Sequence, residues 1–476
     1  MTAALILFPL LMAAIAFMIP SNRLRPLVLP ATAVPHFSFI IILLKYPDLS
    51  GGVDGLLFPD PAGKTVITVV SFLFLFCSFY AVGYLRYRLE RSNRVFVFCL
   101  AVFPGIMSLV CLSQHLGLTW VAIEATTLAM APLIYFNRLK NSIEATWKFL
   151  LVGSVGIALA LLGTFFLAYA ALQAGLHPSL MYADVLKKAQ SLSAPWLKAA
   201  FILLLTGYGT KMGLAPMHTW KPDAYGEAPG LIGAILSGGV TSCAFLAFLR
   251  IYHICLAAGL GEYTGRMLVF MGLFSMLVAA LFMLGQKDFK RMLAYSSVEH
   301  MGILMVGLGL GGAALFGTLF HLMANSLTKG VLFLSAGNIH RAFGSKNIRD
   351  VRGAMERLPL SGALFLTGML AITGSPPFAP FISEFSILNG AMTQGRFTVA
   401  GFFLLFLLVI FIGFIRTVLA VAHGSAPAES MKTPYRDGLL TAAPPLILMI
   451  IVLALGLYLP DSLRKLLEDT VRFLES

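Results

Sequence analysis

Apolar runs long enough to cross a lipid bilayer recur along nearly the whole of this 476-residue chain, and few folds accommodate them. The hydrocarbon core holds no water to satisfy backbone N–H and C=O groups, so a spanning segment must satisfy its own, as a helix does. About 20 consecutive apolar residues make one helical crossing. Runs of that kind fall near residues 2–20, 27–44, 65–85, 95–114, 116–136, 146–172, 197–220, 230–256, 266–285, 292–310, 313–339, 359–390, 398–421 and 440–459. The expected fold is an all-α polytopic membrane protein of about 14 transmembrane helices. Composition agrees, with 58% hydrophobic and 12% charged residues and a mean hydropathy of +0.87, whereas soluble domains carry about 25% charged residues.

A net charge of +13 would suit a nucleic-acid partner if it formed a basic domain, but the positive residues occupy short loops between apolar runs. There they report orientation. The odd-numbered loops carry about 19 Lys and Arg, among them Arg25, Arg86, Arg88, Arg91, Lys221, Lys290, Lys346 and Lys432, and the even-numbered loops about six. The positive-inside rule then sets the odd loops in the cytoplasm and both termini outside. The five cysteines lie singly in apolar runs without metal-binding spacing, so redox chemistry is assigned to partners. No Lys or Arg precedes Arg23, so the first 20 residues lack the basic flank of a signal peptide and are expected to remain as the first span.

Two helices are expected to be interrupted, the seventh at Pro216 and the twelfth at GSPPFAPFISEF, where Pro376 and Pro377 precede Glu384. Broken helices at matching places in two halves point to inverted repeats. The chain divides accordingly into helices 1–3 (residues 1–94), a five-helix block (95–257), an inverted five-helix block (258–422), and a last helix with a short tail (423–476). The tail carries Leu463, Leu466, Leu467, Val471 and Leu474 on one helical face and is expected to lie in the membrane interface.

Charges at membrane depth are costly, about 2.5–3.5 kcal/mol each on insertion scales, and mark ion pathways. Lys211 follows a long apolar run in the seventh span. Snorkelling to an interface is the competing reading. Glu124 lies in the fifth span; with Lys211 it makes either a static ion pair or a proton switch, since a carboxylate beside an amine stays ionised and one alone does not. His321, Asn325 and Lys329 recur every four residues and so share one face of the eleventh span, as a hydrated path or as polar glue between helices. Glu299 and His300 are neighbours pointing about 100° apart on a helix, so one of them should face Lys329, and His300 is the choice. Lys148 is read as a snorkelling lysine or a loading site, His218 as a relay or a cap on backbone freed by the break, and Arg250 and Arg416 as anchors near helix ends.

The stretches IEATTLAMAPLIY, KMGLAPMHTWKPDAYGEAP, ILSGGV, KRMLAYSSVEHMG and GSPPFAPFISEF together resemble the antiporter-like membrane subunits of respiratory complex I, multisubunit sodium/proton antiporters and membrane-bound nickel-iron hydrogenases. SSVEHMG and PPF…SEF look most like the F-type subunit of hydrogenase-4 and formate hydrogenlyase relatives. The resemblance implies fourteen helices with two inverted five-helix repeats, in a bacterial or archaeal cell membrane. Glu124 would be the carboxylate that tunes Lys211, and Glu384 the exit-side residue. The family's eighth-helix lysine would fall at Ser242 and its eleventh-helix histidine at Asn325, so the central connection is expected to pass through Lys329 and His321 instead.

The function implied is proton translocation in a redox-driven complex, along a row made of Glu124, Lys211, Lys329 and Glu384 with His218, His300, His321, Asn325 and Lys148 as accessories. Expected partners are other membrane subunits, including antiporter-like paralogues and a linker to a peripheral redox arm, with nickel-iron and iron-sulfur centres in those partners and no cofactor or metal in this chain. A sodium/proton antiporter without redox coupling and a scaffold that has lost its channel are the rival classes.

Overall fold

The structure is a computed structural model in which residues 1–46, 55–427, 431 and 433–476 are described. Lys432, one of the loop charges, lies outside these residues. Helices account for nearly all the regular structure among the described residues, and extended pairing is limited to isolated bridges such as Leu57 with Ser113. In chain order the long helices are α1 (Thr2–Met18), α2 (Val28–Lys45), α3 (Pro61–Arg86), α4 (Arg94–Leu112), α5 (Leu116–Ile134) and α6 (Lys140–Gln173). There follow α7 in two parts (Ala194–Met212 and Trp220–Glu227), α8 (Gly230–Ala257), α9 (Gly261–Met283), α10 (Phe289–Leu310) and α11 (Ala313–Phe343). The last are α12 in two parts (Pro359–Ile372 and Ala379–Thr393), α13 (Phe397–Ala422), α14 (Leu439–Leu457) and α15 (Asp461–Glu475).

Ten helices among the described residues are long and apolar enough to cross a membrane: α2–α6, α8–α10, α13 and α14. The expectation of fourteen rests on four more segments, each short of the criterion for a visible reason. Helix α1 has 17 residues, the two parts of α12 have 14 and 15, the long part of α7 carries Lys198 and Lys211, and α11 carries His321, Asn325 and Lys329.

The breaks have local causes. The long part of α7 ends at Met212 because Gly213 adopts φ 75°, a left-handed cap that glycine tolerates. The interruption thus begins three residues ahead of Pro216, the expected breaker, which lies in the turn with a cis bond to Ala215. In α12 the first part stops at Ile372, Gly374 takes φ 67°, and Pro376–Pro377 is cis. A third irregularity was not anticipated: α8 contains a π-helical turn over Leu236–Val240, the LSGGV segment. Such turns leave carbonyls without their usual partners and cluster at functional sites.

Helices α8 and α10 are buried along their whole apolar length and form the centre, with α11 beside them. Small residues let the backbones approach: a Cβ on Gly272 of α9 would stand 2.6 Å from the Gly302 carbonyl oxygen of α10, so only hydrogen fits where α9 crosses α10.

Arg250 is not an interfacial anchor. It is buried, its Nη2 lies 2.9 Å from Asp60 Oδ2, and its guanidinium also donates to the Val110 and Cys111 carbonyls at 3.1 and 2.7 Å. Asp60 in turn caps α3 by accepting from Gly63 N, and accepts from Gln114 Nε2 at 3.2 Å. One saturated guanidinium therefore ties the start of α3 to the ends of α4 and α8. Arg416, by contrast, is exposed near the end of α13.

Three loop charges are also interior. Arg25 donates to the Ile19 carbonyl at 3.0 Å and to Asn22 Oδ1 at 2.8 Å, Lys290 donates to the Gly226 and Ala228 carbonyls at 2.9 and 2.5 Å, and Lys221 is fully buried. Each fills a helix end whose carbonyls have no helical partner. The tail helix α15 turns part of its apolar stripe to the bundle: Leu467 and Leu474 are buried, and Thr470 Oγ1 meets Thr65 Oγ1 of α3 at 2.9 Å.

Breaking a buried pair leaves an uncompensated charge and costs about 3–5 kcal/mol. Arg250→Met should therefore lower the unfolding free energy by that order in detergent, and adding Asp60→Asn should recover part of the loss. A double variant as unstable as the sum of the two singles would show that the ion pair does not hold α3 to α8.

Candidate functional site

Eight ionisable side chains inside the bundle, Glu124, Lys211, Lys221, Glu299, His300, His321, Lys329 and Glu384, fall into a row. At one end, Lys211 in the last turn of the first part of α7 is buried, and its Nζ lies 3.2 Å from Glu124 Oε2. It also donates to Thr127 Oγ1. Glu124 and Thr127 are three residues apart on α5 and so present one face, and Thr127 donates back to Glu124 Oε2 at 3.1 Å. The other carboxylate oxygen accepts from Ser154 Oγ of α6 at 2.9 Å. Gly153 of α6 completes the enclosure: a Cβ there would stand 2.8 Å from the lysine nitrogen. Glu124 keeps 23% of its side chain exposed while Lys211 keeps 2%, so the pair has one face toward the outside and one toward the interior.

Beyond the break, Lys221 directs its Nζ to the Met212 carbonyl at 2.5 Å and the Ser297 carbonyl at 3.2 Å. Met212 is the chain neighbour of Lys211. Ser297 adjoins Ser296, whose Oγ accepts from Lys329 Nζ at 2.6 Å. Lys329, on α11, is fully buried, and Glu299 of α10 is close enough to act on it electrostatically.

His300 then meets His321 through Nδ1 and Nε2 at 3.0 Å, with ring centroids 5.1 Å apart. His321 Nδ1 lies 2.9 Å from Ser383 Oγ of α12. Glu384 closes this end, with one ligand atom each of His300, His321 and Glu384 within 4.8 Å of the others. That spacing has room for a small cation, and His300 Nε2 and Glu384 Oε1 are buried without a hydrogen-bond partner.

One of Glu299 and His300 was expected to face Lys329, with His300 the choice; both are buried and both lie close enough to Lys329 to act on it electrostatically, while His300 also meets His321, because α10 is enclosed on every side. Asn325 is fully buried on α11 with both side-chain polar atoms unpartnered. Ser242 donates to the Gly238 carbonyl at 2.7 Å and meets Ser326 Oγ at 3.2 Å. His218 packs against Phe282 and Tyr295, with ring centroids 6.2 and 6.1 Å away, and its buried Nδ1 has no partner. Lys148 stands apart, 45% exposed and paired with Glu144 at 2.6 Å and Asp223 at 2.8 Å. Lys221 was missed because a lysine after a helix break reads as a loop charge. Its signal was its place ten residues after Lys211 with no polar stretch between them.

Comparison with known proteins places this arrangement in a family. Residues 113–413 match the family described as NADH:quinone oxidoreductase/Mrp antiporter, TM, and the chain belongs to it. The Hydrogenase-4 component F homolog of Methylacidiphilum infernorum is 34% identical over 411 residues, covering 82% of this chain and 84% of that one. Among solved structures, a chain of respiratory complex I from Thermus thermophilus superposes with a TM-score of 0.78 at 25% identity, covering 96% of this chain and 97% of that one. A chain of the archaeal membrane-bound sulfane sulfur reductase superposes with a TM-score of 0.86 at 20% identity over 99% and 97%. The protein is an antiporter-like, multi-span membrane subunit of the complex I, Mrp antiporter and membrane-bound hydrogenase superfamily. These neighbours are parts of multisubunit membrane complexes.

Thr127→Val removes an acceptor from Lys211 and a donor from Glu124. Leaving buried polar groups unpaired costs about 1–3 kcal/mol, and thermal unfolding of the purified protein should register a loss of that order. Unchanged unfolding would mean that the Lys211–Glu124 pair stands without the hydroxyl.

Proposed function

We propose that this chain carries protons across the membrane as one subunit of a redox-driven complex of the membrane-bound hydrogenase and complex I type. The observation that carries the reading is the row itself: ionisable groups from α5, α7, α10, α11 and α12 follow one another from Glu124 to Glu384, several of them bonded to hydroxyls and backbone carbonyls along it. Buried polar atoms without protein partners, on Asn325, His300 and Glu384, support water as the link between them.

Protons enter from the cytoplasm, reach Lys211 and Lys329, and leave through Glu384. The Glu124–Lys211 contact acts as the switch, since an amine close to a carboxylate holds its proton more firmly than one drawn away from it. Moving one charge against 100 mV takes about 2.3 kcal/mol. In this reading a linker subunit and a peripheral arm with nickel-iron and iron-sulfur centres supply that energy. The loop charges orient both termini to the outside of a bacterial or archaeal cell membrane. The two breaks support a pair of inverted blocks, residues 95–257 and 258–422, in which Lys211 and Glu384 hold corresponding places. Lys148 and His218 lie off the line of contacts, Lys148 as an entry-side charge and His218 beside the break.

The family description includes Mrp antiporters, which favours exchange of sodium for protons as a second reading. Sparse buried carboxylates speak against a sodium site, which draws on oxygen ligands. Lys211→Ala should lower proton translocation into vesicles at least tenfold while the complex stays assembled and its partners still transfer electrons, and native transport should persist without sodium. Undiminished transport in the variant defeats the proposal, and loss of transport on removing sodium transfers it to the second reading.

A further inference from the structure

The row has a gap at its middle. Lys211 belongs to one end and Lys329 to the other, and the π turn of α8 between them supplies hydroxyls only. Ser242 is fully buried and engaged with Gly238 and Ser326, and Ser237 Oγ is spent on Ser297 Oγ at 3.0 Å. Neither hydroxyl can store a proton between transfers. Asn325 cannot either.

We propose that Lys221 is the proton-storing residue at the centre of the row, occupying the place that Ser242 leaves without a titratable group. Its amine is fully buried and rests on two neutral acceptors, the Met212 and Ser297 carbonyls, with the Tyr225 ring 5.7 Å away. An ammonium has three N–H donors, so one remains for a water beyond these two contacts. Of the two carbonyls, one belongs to the residue after Lys211 and the other to the residue after Ser296, the acceptor of Lys329. Lys221 and Lys329 are close enough to act on one another electrostatically.

Lysine changes protonation readily when buried, and a four-carbon stem lets the nitrogen swing between neighbours. The step moves one proton and no electrons: an N–H bond of the Lys211 ammonium breaks, a water passes the proton on, and an N–H bond forms at the neutral Lys221 amine. The same exchange then repeats toward Lys329. Two ammonium groups held near each other repel, so a loaded Lys329 disfavours loading of Lys221, and Lys221 passes its proton forward only once Lys329 has emptied. Lys221 and Lys329 are thereby kept from being charged together.

The competing role is structural, with Lys221 merely capping carbonyls released by the break in α7. Substitutions separate the two. Arginine keeps the charge and the donors but does not deprotonate in proteins; glutamine keeps donors without charge; histidine is a smaller group that can both take up and release a proton.

This inference rests on the proton-carrying reading above, so Lys211→Ala is measured alongside in the same vesicles containing the whole complex. We expect Lys221→Arg and Lys221→Gln to assemble and to lose proton translocation at least tenfold, and Lys221→His to retain more transport than Lys221→Arg. Transport by Lys221→Arg within twofold of the native protein, or above that of Lys221→His, overturns the relay and leaves the capping role. If Lys211→Ala also transports normally, the proton-carrying reading itself has failed rather than the place of Lys221 in it. Should the arginine variant not assemble, Lys221→Gln against Lys221→His decides alone: equal transport by these two contradicts the proposal.

Discussion

A charged or strongly polar side chain taken into hydrocarbon must find its partners inside the protein, and much of this bundle is arranged around meeting that demand. The cost of a lone buried charge, several kcal/mol, is comparable to the whole stability of many folded domains. Arg250 shows the demand met in full, with its guanidinium shared between Asp60 and the carbonyls of Val110 and Cys111. A group so completely engaged holds helices together and has little reason to move. The row from Lys211 to Glu384 is met differently. Lys329 has one hydroxyl at 2.6 Å, Glu384 retains an oxygen without a partner, and Asn325 has none for either polar atom. Groups left partly unsatisfied have room for water and for change of partner.

Broken helices supply much of what the amines need. A continuous helix consumes its carbonyls, so an amine inside a helical bundle finds few acceptors. Ending α7 at Gly213 frees the last carbonyls of that helix; Met212 O goes to Lys221 and Thr210 O to the indole of Trp220 at 2.9 Å. The π turn of α8 brings Ser237 and Ser242 inward in the same region. In α12 the interruption ahead of Ala379 sets Ser383 and Glu384 at the start of a new helix, facing the histidine pair. The departures from regular helix and the ionisable residues therefore answer the same requirement.

How much of this can be read from the amino acids depends on whether a charge stands out against its surroundings. Lys211 and Lys329 stand in apolar runs, and Glu124 does as well, so all three were legible and the contact between Glu124 and Lys211 was expected. Lys221, Lys290 and Arg25 have the same chemistry but lie next to helix ends, where a buried cation and a loop cation have the same local sequence. Only packing tells them apart. Neighbours about 100° apart on a helix offer one residue to Lys329, which favours His300 over Glu299, yet protein surrounds α10 completely and both are interior. The apolar stripe of the tail helix is real, and the protein covers Leu467 and Leu474 on it, a contact that a stripe alone does not announce. The hydroxyl network of Ser296, Ser297 and Ser383 gave no signal, since serine is common in membrane helices that have no transport role.

The central claim is that the ionisable groups are joined by water rather than separated by dry packing. It is tested most directly by imaging ordered water in an experimental structure of the assembled complex at high resolution. The account predicts water density bridging the nitrogens of Lys211, Lys221 and Lys329 and continuing past Asn325 to Glu384. Closely packed apolar side chains between any two of these groups, with no water and no alternative side-chain position that closes the distance, would contradict it.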